Sequence, residues 1–270
     1  MIPGRGVAVG LTVAIVSIVV LIPLAAIVLS LHGIGPAQLV AIAFSPRALA
    51  AYRLSLSAAF AASAIDVAIG LAIAVVLVRY ASPGMRVLDA LVDVPFALPT
   101  AVTGITLATL YGPHGWVGAW FAQHGFPIAY TPAGIVLALA FVGLPFVVRT
   151  VQPIVATLPR EFGEAAASLG ASPLAIAARV TLPLLAPALL TGFALALART
   201  VGEYGSVIFI AGNVPFRTEI APLVIVTRLE EYDYAGAAAV ALVSLLASFV
   251  LLLSINALQR RLSVRRGAIG

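Results

Sequence analysis

The stretch LPREFGEAAASLGASPLAIAARVTLP, residues 158–183, is punctuated as two short helices joined by a tight turn. Pro159 stands where a first helical residue belongs, because the first N–H groups of a helix have no partner within it. Glu161 and Glu164 fall in the opening turns, where carboxylates suit the positive end of the helix dipole. Alanines and Leu169 carry the helix to Gly170, the residue type that ends helices in a left-handed conformation. Ser172 then reads as an N-cap and Pro173 as a first helical position, predicting a second helix up to about Thr181, with Pro183 leading into the segment that follows. The first helix has an alanine-rich, nearly smooth side. From spacing alone the element is either a helical surface loop or a docking element for another protein.

What surrounds it is greasy. Apolar stretches long enough to cross a bilayer, about 20 residues each, cover residues 7–31, 54–78, 87–111, 128–148, 184–211 and 235–258. The third contains Asp89, Asp93, Pro95 and Pro99, so its first turns should be polar and kinked. Over the whole chain of 270 residues, 62% are hydrophobic and 9% charged, with mean hydropathy +1.15. Soluble domains carry roughly a quarter charged residues, so both a soluble globular class and a disordered chain are excluded. The expectation is an all-α integral membrane protein of six transmembrane helices, one membrane domain over residues 1–270, with residues 158–183 a connection between spans four and five. The run 220–227 is too short to span and is expected as an interfacial or loop helix. The first stretch is too long for a secretory h-region, so a cleaved signal peptide is not expected.

All 15 basic residues are arginine, none lysine, and there is no cysteine. A net charge of +5 and a pI near 10.1 would point to nucleic acid in a soluble protein. In a membrane chain they carry orientation instead, and no nucleic-acid partner is expected. With both termini in the cytoplasm, ten arginines (Arg5, Arg79, Arg86, Arg149, Arg160, Arg179, Arg260, Arg261, Arg265, Arg266) lie inside and four (Arg47, Arg53, Arg217, Arg228) outside. The positive-inside rule therefore predicts that both termini are cytoplasmic.

The loop also carries a family's spacing. Glu164-Ala165-Ala166, Gly170, and Val180-Thr181-Leu182-Pro183 resemble the EAA motif of ABC importer permeases, with Val180 where isoleucine is usual. The stretches DALVDVPFALPTAVTGITLATLY (89–111), GLPFVVRTVQPIV (143–155), RTVGEYGSVIFIAGNVPFRTE (199–219) and RLEEYDYAGAAA (228–239) are similar to the sulfate/thiosulfate branch of that family, and within it to the T-type permease subunit. The resemblance implies a type I importer permease fold in a bacterial inner membrane, with the pore shared with a homologous W-type subunit. It also implies two copies of a cytoplasmic ATP-binding subunit and a periplasmic sulfate/thiosulfate-binding protein received by the outer loops. The docking surface for the ATPase would comprise Glu161, Glu164, Ala165, Ala166, Gly170, Leu182 and Pro183. ATP and magnesium would sit on that partner. This chain would bind no cofactor itself.

Ionisable groups inside a membrane are expensive, so each asks for an explanation. Arg199 and Glu203, four apart, would share one helix face, either neutralising each other or lining a gate; Gly202 and Gly205 beside them permit close helix approach or a local break. Asp66 lies mid-span and is expected to pair, to accept hydrogen bonds or to stay protonated. Arg149, at the inner end of the fourth span, would snorkel to the interface. Thr100, Thr103 and Thr106 could form a hydroxyl stripe. Thr100, Thr103, Arg149, Arg199 and Glu203 are the pathway or gate residues on this reading. His32, His114 and His124 fall in outer loops with no carboxylate cluster, so no metal site is expected. A Walker A motif needs a lysine the chain lacks, and no catalytic cluster is visible, so the chain is expected not to be an enzyme. Rival readings are a molybdate or tungstate permease and, from another class, a proton-coupled carrier using Asp66 or Glu203.

Overall fold

The computed structural model describes residues 5–80, 82–159 and 161–267. These form helices and turns. In order they are α1 (Arg5–Val16), running through a π-turn (Ser17–Leu21) into α2 (Ile22–Leu29), then α3 (Pro36–Ala43), α4 (Pro46–Arg79), α5 (Pro83–Val92), α6 (Val94–Ala97), α7 (Thr100–Tyr111) and α8 (Gly118–Gln123). They continue with α9 (Pro132–Thr157), α10 (Glu161–Ser168) and α11 (Pro173–Ile176), a second π-turn (Ala177–Thr181) leading into α12 (Leu182–Thr200), and finally α13 (Val207–Ala211), α14 (Ala221–Glu230) and α15 (Tyr234–Gly267).

The centre of the bundle is the mutual packing of α4, α9 and α12. The buried face of α4 is small throughout: Ala48, Ala51, Ser55, Ala58, Ala59, Ala62, Ser63, Asp66, Gly70 and Ala74. Small residues let helix backbones approach closely, which is how helices gain packing energy where lipid offers no hydrophobic drive. Val147 of α9 shows the consequence, lying between two glycines. A Cβ on Gly70 of α4 would sit 2.8 Å from its Cγ1, and one on Gly192 of α12 would sit 3.1 Å from its Cα.

All six apolar segments are present, five of them as continuous helices long and apolar enough to cross a membrane: Ala8–Leu29, Pro46–Arg79, Pro132–Thr157, Pro173–Thr200 and Tyr234–Ala257. The third segment differs from a single kinked helix. It is three helices, broken at Asp93 and again at Leu98–Pro99, where both residues are extended. Pro99 disfavours the helical region for Leu98, which ends α6. The remaining helix α7, 12 residues long, is only about 18 Å, too short to span a core of about 30 Å.

Further boundaries move: the second segment begins at Pro46 rather than 54, and the fourth is helical over Pro132–Thr157 rather than 128–148. The fifth segment, 184–211, is helical only to Thr200; residues 201–206 are non-helical before α13 begins. At the other end the helix starts at Pro173 and passes Pro183 without a break. The π-turn Ala177–Thr181, closed by Leu182 N–H to the Ala177 carbonyl, absorbs the hydrogen bond a proline cannot give. The last helix runs past 258 to Gly267. The 220–227 run is helical, as α14, and it packs on the bundle: Val224 is buried with Ala48, Ala51 and Val240, and the Ala221 N–H donates to Ser55 Oγ at 2.8 Å.

Candidate functional site

Two places in the fold concentrate the residues singled out from sequence. The first is the hairpin between α9 and α12. Helix α10 begins at Glu161, two residues after Pro159; Arg160 between them lies outside the described residues. Its end is a Schellman cap. Gly170 N–H donates to the Ala167 carbonyl (2.9 Å) and Ala171 N–H to the Ala166 carbonyl (3.0 Å), with Gly170 at φ +84°. Ser172 caps α11 as its spacing predicts, its Oγ accepting from Ala175 N–H at 3.3 Å. The hairpin protrudes. Phe162, Leu169 and Leu174 are 51%, 89% and 79% exposed, and Glu161, Glu164, Ala165, Gly170, Leu182 and Pro183 are exposed while Ala166 is half-buried. Three large apolar side chains held out on a capped hairpin form a surface suited to another protein.

The second place is where the two broken segments meet. Gly205, in the 201–206 break, lies against the start of α7: a Cβ there would be 2.2 Å from Thr100 Oγ1. One turn on, a Cβ on Gly104 would be 2.5 Å from the Ser206 carbonyl oxygen. Glu203, buried in the break, accepts from Arg199 through Oε2 and from Ser206 through Oε1, with the Ser206 N–H at 3.1 Å and its Oγ at 3.2 Å. The pair foreseen from sequence therefore forms, although Glu203 lies beyond the helix end and braces the break. Both its oxygens are committed. Arg199 is half-buried, and among the described residues it hydrogen-bonds only to Glu203, which leaves guanidinium donors free. The threonines do not form one stripe: Thr103 is buried in the bundle, Thr100 is half-buried at the break and Thr106 is exposed. At 3.6 residues per turn each step of three falls about 60° short of a full turn, so Thr106 lies about 120° round the helix from Thr100.

Arg149 is held by side chains of the broken third segment and its own helix. Its Nε and Nη2 donate to the two Asp93 carboxylate oxygens at 2.8 and 2.6 Å, and its Nη1 to Asp89 Oδ1 at 2.6 Å and Gln152 Oε1 at 2.7 Å. Nη2 also donates to the Asp89 carbonyl at 2.8 Å. All five guanidinium N–H groups are used, so none remains for an anion. This network was missed from sequence. The signal was there in two carboxylates four apart on one helical segment, and an arginine and glutamine three apart on another.

Asp66 does not pair. It is 1% exposed, and its Oδ2 is buried without a hydrogen-bond partner, 2.3 Å from where a Cβ on Gly143 would stand. Among the described residues it makes neither ion pair nor helix–helix hydrogen bond, so two of the three expectations are not met. The three histidines are exposed; His124 Nδ1 lies 2.7 Å from the Trp120 carbonyl oxygen. Among the described residues no group of His, Asp and Glu could hold a metal ion.

Comparison with known proteins agrees with this architecture. The family described as "Binding-protein-dependent transport system inner membrane component" matches residues 67–265. The chain is similar to the probable sulfate transport system permease protein cysT of Nephroselmis olivacea, 48% identical over 92% of this chain and 88% of that one. It is similar also to the sulfate transport system permease protein CysT of Salmonella typhimurium, 46% identical over 98% and 96%. Among solved structures, a bacterial alginate ABC transporter in complex with alginate pentasaccharide-bound periplasmic protein superposes with TM-score 0.76 at 16% identity, covering 94% of this chain and 93% of that one. The inward-facing MetNI methionine ABC transporter gives 0.58 at 17% identity over 78% and 94%. At those identities the structures show the fold alone.

Proposed function

The chain belongs to the binding-protein-dependent transport system inner membrane component family, and on that premise we propose that it is a pore-forming permease subunit of an ATP-driven sulfate/thiosulfate importer. The observation that carries the reading is the protruding hairpin with Glu164, Ala165, Ala166, Gly170, Leu182 and Pro183 at the family's spacing, on a chain 46–48% identical to permeases named for sulfate transport. A passive bundle has no use for such an element. Glu161, Glu164 and their neighbours dock a cytoplasmic ATP-binding subunit, two copies of which bind ATP and magnesium; this chain is not itself an enzyme. A homologous W-type permease completes the pore, and a periplasmic sulfate/thiosulfate-binding protein delivers the anion. The arginine distribution supports cytoplasmic termini.

A dianion crossing the pore needs donors rather than fixed negative charge. Arg199, braced by Glu203, offers free guanidinium donors, and the break that holds Glu203 packs through Gly205 against Thr100 at the start of α7. Thr103 is buried further along α7. We assign these four residues to the pathway and remove Arg149 from anion contact in this conformation, its donors being fully engaged. The test is labelled-sulfate uptake in cells lacking this chain, with thiosulfate and molybdate as competitors. Loss of uptake restored by the intact gene, competed by thiosulfate and dependent on ATP supports the reading. Undiminished sulfate uptake, competition by molybdate alone, or uptake driven by the proton gradient without an ATPase would refute it.

A further inference from the structure

The Arg149 network joins two parts of the molecule that the importer reading leaves mechanically separate. Helix α9 carries Arg149 and Gln152 and runs on to Thr157, four residues before α10 of the hairpin begins at Glu161. The strap formed by α5 and α6 carries Asp89 and Asp93 and passes through Leu98–Pro99 directly into α7, whose first residue abuts Gly205 in the break that holds Glu203, the partner of Arg199. Apart from buried Val92 and an edge-on contact of Phe96 with Phe146 at 5.1 Å, the polar join between strap and α9 is the guanidinium, together with Gln152 Nε2 donating to Asp89 Oδ1 at 3.3 Å. The guanidinium's five hydrogen bonds reach two carboxylates, a carboxamide and the Asp89 carbonyl, and bidentate binding to Asp93 fixes its plane.

We propose that Arg149 is a positioning residue for transport, a rigid link that stays closed and makes the strap move with α9, so that motion received at the hairpin reaches the meeting point of the broken segments. This rests on the importer reading above. An arginine with every donor satisfied in one geometry suits a permanent joint. A lone surface pair would flex and be screened.

The experiment uses the complete transporter in proteoliposomes, and reads labelled sulfate taken up per ATP hydrolysed. Arg149→Gln should lower that ratio about tenfold while ATP hydrolysis continues, a split that loss of folding would not produce. The chain has no cysteine, so Asp89→Cys with Gln152→Cys, positions whose native side chains are 3.3 Å apart, can be joined by a short bismaleimide. Cross-linking in the Arg149→Gln background should recover at least about half of the lost ratio. Cross-linking with Arg149 present should leave transport intact, and this arm holds even if Arg149→Gln fails to assemble. An unchanged ratio in Arg149→Gln overturns the link. Abolition of transport by the cross-link overturns it too, because strap and helix would then have to part in each cycle. Absence of sulfate uptake by the unmodified complex would overturn the importer reading itself.

Discussion

Gly170 offers a graded test of the hairpin. Its φ of +84° lies in the left-handed region, and a Cβ added there would meet nothing within 4 Å. Substitution therefore costs backbone strain alone, with no clash to confuse it. For alanine that cost is about 1–2 kcal/mol, and since about 1.4 kcal/mol is tenfold in an equilibrium constant, the capped hairpin should open roughly tenfold more often. Asparagine tolerates the left-handed region and should cost less; a β-branched valine should cost more. The expected order of sulfate uptake is Gly170, then Gly170→Asn, Gly170→Ala and Gly170→Val, with ATP hydrolysis losing its coupling to uptake in the same order. Because the residue is exposed on a connection, immunoblots of membrane fractions should show equal insertion for all four. Equal uptake by the asparagine and valine variants would refute the claim that the cap's geometry matters. Uptake that merely tracks the amount of inserted chain would refute it as well.

Gly205→Ala should push Thr100 from the break at a cost of about 1–3 kcal/mol and lower uptake, with Thr100→Ala restoring part of it because the Oγ1 at 2.2 Å is then gone; no rescue would show that the contact is not the cause. Asp66→Asn should leave the thermal midpoint of the detergent-solubilised complex unchanged or raised, since Oδ2 is buried without a partner. Gly143→Ala, whose Cβ would fall 2.3 Å from that oxygen, should lower it, and the reverse pattern in a melting assay would contradict the reading of Oδ2 as unpartnered and packed against Gly143. Arg47→Met strips Glu219, 1% exposed in its side chain, of the guanidinium that donates to both its oxygens at 2.7 and 2.5 Å. Uncompensated buried charge costs 3–5 kcal/mol, and the half-exposed arginine places this case near the lower figure, about 3 kcal/mol. A double change that also makes Glu219→Leu should recover most of the loss, measured as retained complex after heating.

Local chemistry was legible residue by residue. Gly170 and Ser172–Pro173 punctuate the hairpin through interactions spanning a few positions, and these need no knowledge of the rest of the chain. Apolar run length similarly announces a membrane helix. Pro95 and Pro99 announced a disturbance in the third segment but not its extent. Whether a proline bends a helix or ends it depends on what satisfies the freed backbone groups, and here α7 gains its place by packing on the break at Gly205–Ser206.

The sequence by itself determined that this is a polytopic membrane chain, that its few charges must be paired or neutral where they enter the bundle, and that one connection has the form of a docking hairpin. Tertiary structure decided who pairs with whom. Arg149 lies 56 positions from Asp93 and 60 from Asp89; Asp66 meets the bare backbone of Gly143 instead of an arginine. Charge energetics demand a partner wherever water is absent, but its identity follows from the register at which α4, α9 and the strap pack. That register is set by where small residues let the backbones close, and no local pattern encodes it.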